Sequence, residues 1–220
     1  MNHLADRISG LIAVDVVGSD FDAVIEAVEG TIGHARQALR DVCSEGLAEP
    51  RILHGVRDRI AYARTVVALL PDSLECLRAW LGRMDDTLDF EVHFTLFCYL
   101  DGCQEMPRAN SLRPEVLRLV HDYLASVRVG TARAAWMAGD LLGDHWRADE
   151  SLPVLLDLLE SARYAAGREA ALSGLETALR NGISGDVSRQ AEETLRRVAS
   201  HDRSPRLRRA AEDLLTRTAA

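Results

Sequence analysis

The side chains best placed to do chemistry are an acidic run, Asp85-Asp86-x-x-Asp89-x-Glu91, and seven scattered histidines. Four carboxylates so close together could hold a cation. Their spacing lacks the Asp-x-Asp-x-Asp-Gly order of a calcium loop, so helix caps and partners for helix dipoles are the favoured reading. His3, His34, His54, His93, His121, His145 and His201 include no pair four residues apart, which excludes a zinc pair carried on one helix. His121-Asp122 and Asp144-His145 are adjacent in sequence, and adjacent residues do not share a helix face. Cys43, Cys76, Cys98 and Cys103 form no C-x-x-C and read as buried small apolar side chains in a reducing compartment. No G-x-G-x-x-G, phosphate loop or G-x-S-x-G occurs. All 26 basic residues are Arg, so no phosphate-loop or Schiff-base lysine exists. The sequence therefore assigns no catalytic residue, no cofactor and no metal.

What remains is recognition. Trp146 lies in a polar turn between His145 and Arg147, where an exposed indole would anchor a partner. It could equally fold back over neighbouring helices. Trp136 follows Ala135 in a close-packing stretch and reads as core, as does the aromatic run Phe90, Phe94, Phe97 and Tyr99. The candidate partner-binding residues are thus Trp146 and Arg147, with Asp85, Asp86, Asp89 and Glu91 to steer a basic partner.

These residues must be positioned by helices. Ser73-Leu74, Ser111-Leu112 and Ser151-Leu152 recur 38 and 40 residues apart, and a fixed period near 40 marks stacked helical hairpins. In the third unit Ser151 is expected as the N-cap and Pro153 in the first turn. Leu152, Leu155, Leu156 and Leu159 then form one apolar stripe. Arg133, Arg168 and Arg208, 35 and 40 residues apart, are each followed two residues later by Ala, a second mark with the same period.

The expected pairs are 73–83 with 90–100, 111–127 with 131–142, 151–161 with 166–180, and 186–200 with 204–217. Asn181-Gly182 should end one helix, and Ser204-Pro205 should open the last. The first 70 residues read as three helices, 1–17, 20–43 and 50–70, with a kink or break near Gly30 and Gly33. They lack the Ser-Leu opening and suit an N-terminal cap on the array. Val/Ile/Thr alternation is nearly absent, so strands are not expected.

The Pro-containing leucine helix followed by an Arg-x-Ala-Ala helix resembles HEAT repeats, particularly their short bacterial form. The run from His201 to Leu215 is the best match. The resemblance implies an all-α fold: one continuous, right-handed α-solenoid (α-α superhelix) of about four antiparallel pairs over residues 71–220. It also implies a surface that binds proteins and, in some members, nucleic acid or a prosthetic group.

Composition agrees with such a stack. The chain of 220 residues is 47% hydrophobic but only 5% aromatic, as leucine–alanine packing requires. It has no run of 18 apolar residues and no basic leader before an apolar segment, so neither a membrane span nor export is expected, and the cytoplasm is the default. Its net charge of −8 argues against general nucleic-acid binding and for a basic protein partner.

The function expected is a non-catalytic scaffold or adaptor, for instance an immunity or regulatory protein. Two alternatives are a HEAT-like DNA-repair enzyme and a prosthetic-group lyase or chaperone. The first needs Trp and Asp converging on a basic face. The second needs a pocket among Phe94, Phe97 and Tyr99.

Overall fold

The computed structural model describes residues 3–82, 89–128, 132–182 and 185–218, without the side chains of 50, 89–92, 132 and 185–187. Thirteen α-helices and no strand occur among them. The chain divides into two compact units at Val116 and Leu117, inside one helix.

The first unit contains α1 (Leu4–Ile12), α2 (Phe21–Glu29), α3 (Gly33–Ala48), a short 3-10 turn, α4 (Val56–Ala68), α5 (Leu74–Gly82), α6 (Asp89–Glu105) and α7 (Pro107–Ser111). The start of α8 (Arg113–Ser126) belongs to it as well. The expected helix 1–17 stops early, because Ala13 turns left-handed at φ 56°. Asp20 caps α2, its carboxylate accepting from the Ala23 N–H at 2.8 Å. The weak point near Gly30 and Gly33 is a complete break, with Gly33 at φ 56°.

Helix α4 lies at the centre, packed on α1, α2, α3, α5 and α6. Its buried Asp58 accepts from the Ala5 N–H at 2.9 Å, satisfying a free donor at the start of α1. Its Arg64 donates to the carbonyls of Val16, Val17 and Ser19 and so holds the α1–α2 connection. In the core, Trp80 Nε1 donates to Tyr62 Oη at 2.7 Å, and Tyr62 donates to the Cys43 carbonyl at 2.8 Å.

The second unit continues α8 with α9 (Ala132–Asp144), α10 (Ala148–Ser161), α11 (Ala165–Arg180), α12 (Gly185–His201) and α13 (Pro205–Thr218). Two helix ends follow the sequence expectation. Gly182 takes φ 82° just beyond α11, and the Ser204 hydroxyl accepts from Leu207 N–H with Pro205 opening α13.

The Ser-Leu repeat, in contrast, does not mark a common cap. Ser151 is the fourth residue of α10, whose N-cap is Arg147. The Asp149 and Glu150 carboxylates suit that first turn, so the helix starts one turn early. Buried there, the Ser151 hydroxyl has no partner. Pro153 consequently sits inside the helix and denies the Asp149 carbonyl its bond. Ser111 ends α7, donating to the Arg108 carbonyl at 2.7 Å, and Ser73 donates to the Val66 carbonyl.

Candidate functional site

The tightest packing in the second unit joins α9 to α11. A Cβ placed on Gly139 would stand 2.1 Å from the Ala170 carbonyl oxygen. One on Gly143 would stand 2.0 Å from the Gly174 oxygen, and one on Gly174 2.2 Å from the Gly139 oxygen. The two helices therefore touch backbone to backbone, and α13 packs beside α11. Helix α9 buries Ala134, Ala135, Ala138, Leu141 and Leu142 against this layer.

Trp136 falls off that stripe and is 54% exposed, not core as the neighbouring Ala135 suggested. It lines an open groove of about 490 Å³ with Ala166, Ala170, Leu172, Leu207 and Ala210 as apolar floor. The rim carries both signs. Glu176 accepts from Arg217 at 2.7 Å, and Glu169 stands 3.9 Å from Arg206. An indole above an apolar floor with a neutralised polar rim can take up an apolar side chain and exclude water around it.

Trp146 takes the opposite place. Its own N–H reaches back to the Leu141 carbonyl at 3.2 Å, folding the chain over the end of α9. The indole is only 6% exposed and donates to Glu150 at 2.8 Å. It is a structural side chain and leaves no face for a partner, which corrects the anchor reading. Arg147 is exposed, but its guanidinium is paired with Asp149 at 3.1 Å. Asp85 and Asp86 lie outside the described residues; Asp89 and Glu91 open α6, and their side chains are not among those described.

Two of the repeated arginines, Arg168 and Arg208, prove to be connectors. Arg168 Nη1 donates to the Ala162 carbonyl at 2.7 Å, closing the end of α10, while Nε donates to Asp202 at 2.7 Å. Forty residues on, Arg208 Nη1 donates to the Asp202 carbonyl at 2.7 Å in the same way. Beside them, Glu160 accepts from Arg197 at 2.6 Å. A second cleft, of about 450 Å³, opens between the ends of α10 and α12 and is lined by Glu160, Arg168, Arg197 and Asp202 together with Arg163, His201 and Arg203.

Both adjacent His–Asp pairs do meet: His121 and Asp122 share α8 with exposed side chains that bend toward each other, and His145 lies in the turn just past the end of α9, where the helix-face rule does not apply. His121 Nδ1 lies 3.1 Å from Asp122 and Nε2 lies 3.0 Å from Asp157; His145 lies 3.0 Å from Asp144. Partial burial pulls the His121 pKa down, but hydrogen bonds to Asp157 and Asp122 outweigh it and leave the group raised.

All four cysteines are buried and free, and burial pushes the thiols of Cys43, Cys76 and Cys98 up, away from nucleophilic thiolate. Tyr99 is fully buried with its hydroxyl on the Ala109 carbonyl, whereas Phe97 is 38% exposed. Two residues apart on a helix they point in opposite directions, so Phe94, Phe97 and Tyr99 do not line one pocket. Among the described residues no three His, Cys, Asp or Glu side chains converge to hold a metal, and no helix is long and apolar enough to cross a membrane.

The exposed Trp136 was within reach of sequence reasoning. The stripe of Ala134, Ala135, Ala138, Leu141 and Leu142 leaves position 136 outside. Arg163 and Arg203, at equivalent turns 40 residues apart, carried the repeat's own period. No family model, curated protein or solved structure matches this chain.

Proposed function

We propose that residues 117–218 form a HEAT-like α-solenoid that works as a non-catalytic protein-binding scaffold, with α9, α11 and α13 as its recognition face. The solenoid reading is supported by side-chain bonds that repeat with the sequence period. Thr177 to Asp140, Asn181 to Asp144 and Arg197 to Glu160 each span 37 residues, and His121 to Asp157 spans 36. Helices one hairpin apart are thereby laid side by side, as stacked repeats require.

The observation that carries the binding reading is the half-exposed indole of Trp136 above the floor of Leu172, Leu207 and small side chains. Binding hot spots are enriched in tryptophan, and a partner side chain seated in this groove would desolvate the ring. The partner offers an apolar side chain to this groove. The unit that carries this groove is balanced, with 15 acids and 15 arginines over residues 117–220, and the acidity that would favour a basic partner lies in residues 1–116, with 19 acids against 11 arginines. A base-flipping enzyme fits less well: Asp140, one turn from Trp136, is bonded to Thr177, and the groove lining matches two glutamates with two arginines, leaving no positive surplus for phosphate.

The test is affinity capture from nuclease-treated native lysate with wild type and Trp136→Ala side by side. One stoichiometric protein held by wild type and lost by the variant supports the scaffold. Equal capture by both, or capture of neither a protein nor a complex that blue-shifts Trp136 fluorescence, refutes it.

A further inference from the structure

The cleft between α10 and α12 is separate from the Trp136 groove, and its chemistry is different. It gathers Arg163, Arg168, Arg197 and Arg203 around two acids, Glu160 and Asp202. Both acids are already engaged, Asp202 by Arg168 and Glu160 by Arg197. The surplus therefore sits on Arg163 and Arg203, which have no ion-pair partner among the described residues. The Arg163 guanidinium rests 5.2 Å from the centre of the Tyr164 ring, which orders it without neutralising it. His201 Nδ1 lies 3.2 Å from the Arg197 carbonyl and donates to it, so Nε2 can donate to a ligand only in the imidazolium form.

Two helix C-termini end here, and their carbonyls would ordinarily repel an anion. The Ala162 and Asp202 carbonyls, however, are covered by Arg168 and Arg208. We propose that this cleft binds the phosphomonoester group of a ligand, with Arg163 and Arg203 as paired clamps and the imidazolium form of His201 as a third contact. Two unpaired guanidinium forks match a dianion with three acceptor oxygens better than a single carboxylate. The cleft's volume of about 450 Å³ leaves room for more than the phosphate itself, and Leu159 and Val198 supply an apolar wall for the attached group.

The test is isothermal titration of the full chain in low-salt buffer with phenyl phosphate, and separately with a phosphoserine tetrapeptide and with benzoate. Saturable one-to-one binding of phenyl phosphate, weaker or absent for benzoate, is expected. Arg163→Gln with Arg203→Gln should weaken it by about tenfold or more, since two charge-assisted contacts are lost. Arg209→Gln, exposed and outside the cleft, should not change it. Tighter binding of the peptide would identify a phosphorylated side chain as the source, and equal binding a free phosphomonoester.

Should the double variant fail to fold, the Arg163 and Arg203 Nε–H resonances of wild type give the same answer by shifting on titration with phenyl phosphate. Absence of saturable binding, equal weakening by Arg209→Gln, or unmoved Nε–H signals would overturn the proposal.

Discussion

Exchanging Gly174 for Ala tests the backbone contact between α9 and α11 directly, because the same exchange elsewhere should have the opposite sign. In an open helix, Gly to Ala stabilises by about 1 kcal/mol. Gly10, in the last turn of α1, has no atom within 4 Å of the place a Cβ would take, so Gly10→Ala should gain up to about that amount. At Gly174 the new Cβ would stand 2.2 Å from the Gly139 carbonyl oxygen and 2.9 Å from a Leu155 methyl. A carbon–oxygen contact relaxes only at about 3.3 Å, so the helices must part by roughly 1 Å. The obstacle is backbone on a packed helix, which cannot swing aside as a side chain can.

Overpacking of this kind costs about 1–3 kcal/mol, and the lost contacts along the seam add to it. After subtracting the helix-propensity gain, Gly174→Ala should still lose about 2 kcal/mol. The assay is urea unfolding followed by far-UV circular dichroism on wild type and both variants. Amide hydrogen exchange would then assign the loss to α9 and α11. If Gly174→Ala is as stable as wild type while Gly10→Ala behaves as expected, the backbone-to-backbone packing is wrong.

Three further outcomes follow from single contacts. Arg168→Ala should destabilise the second unit by about 1–3 kcal/mol, since it leaves the part-buried Asp202 carboxylate with the Ser204 N–H but no cation; thermal melts of Arg168→Ala and of the double variant with Asp202→Ala should show partial recovery in the latter. Tyr62→Phe takes away the acceptor of the Trp80 N–H inside the first unit and one donor to the Cys43 carbonyl, and should cost about 1–3 kcal/mol by urea unfolding. His121 has its pKa raised above the ordinary 6.5, so its pairing with Asp157 and Asp122 contributes stability that is complete below 6.5 and is lost as pH rises through the folded value. The urea midpoint of wild type should therefore fall as pH climbs above 6.5, and His121→Gln should remove that part of the slope.

The helices were largely legible because leucine and alanine spacing is a local signal. The pairing of 166–180 with its predecessor, the glycine stop at Gly182 and the Ser204-Pro205 opening all appear where short-range chemistry put them. The caps read from Ser-Leu failed for a physical reason. A serine can accept from a helix start or donate to a preceding carbonyl, and Ser73 and Ser111 do the second. At Ser151 the acidic pair Asp149 and Glu150 was the stronger start signal, and it lay upstream of the residue the repeat singled out.

The two tryptophans exchanged places for a related reason, and that exchange moves the functional argument. Polar neighbours made the turn around Trp146 look exposed, but a turn's polarity is satisfied by its own ends. Glu150 takes the indole N–H while the ring closes over α9. Trp136 sits among alanines and a glycine, a setting that suggests burial until the helix is projected. The small residues at 134, 135, 138 and 139 form the buried face with Leu141 and Leu142, and a large ring could not enter a seam where even a methyl on Gly139 would collide with Ala170. The close approach of α9 to α11 thus excludes Trp136 from the core and fixes it beside Leu172 at the mouth of the groove. Tight packing and an exposed indole have one cause. A variant that opens the seam should accordingly alter partner capture as well as stability, whereas Trp136→Ala should alter capture alone.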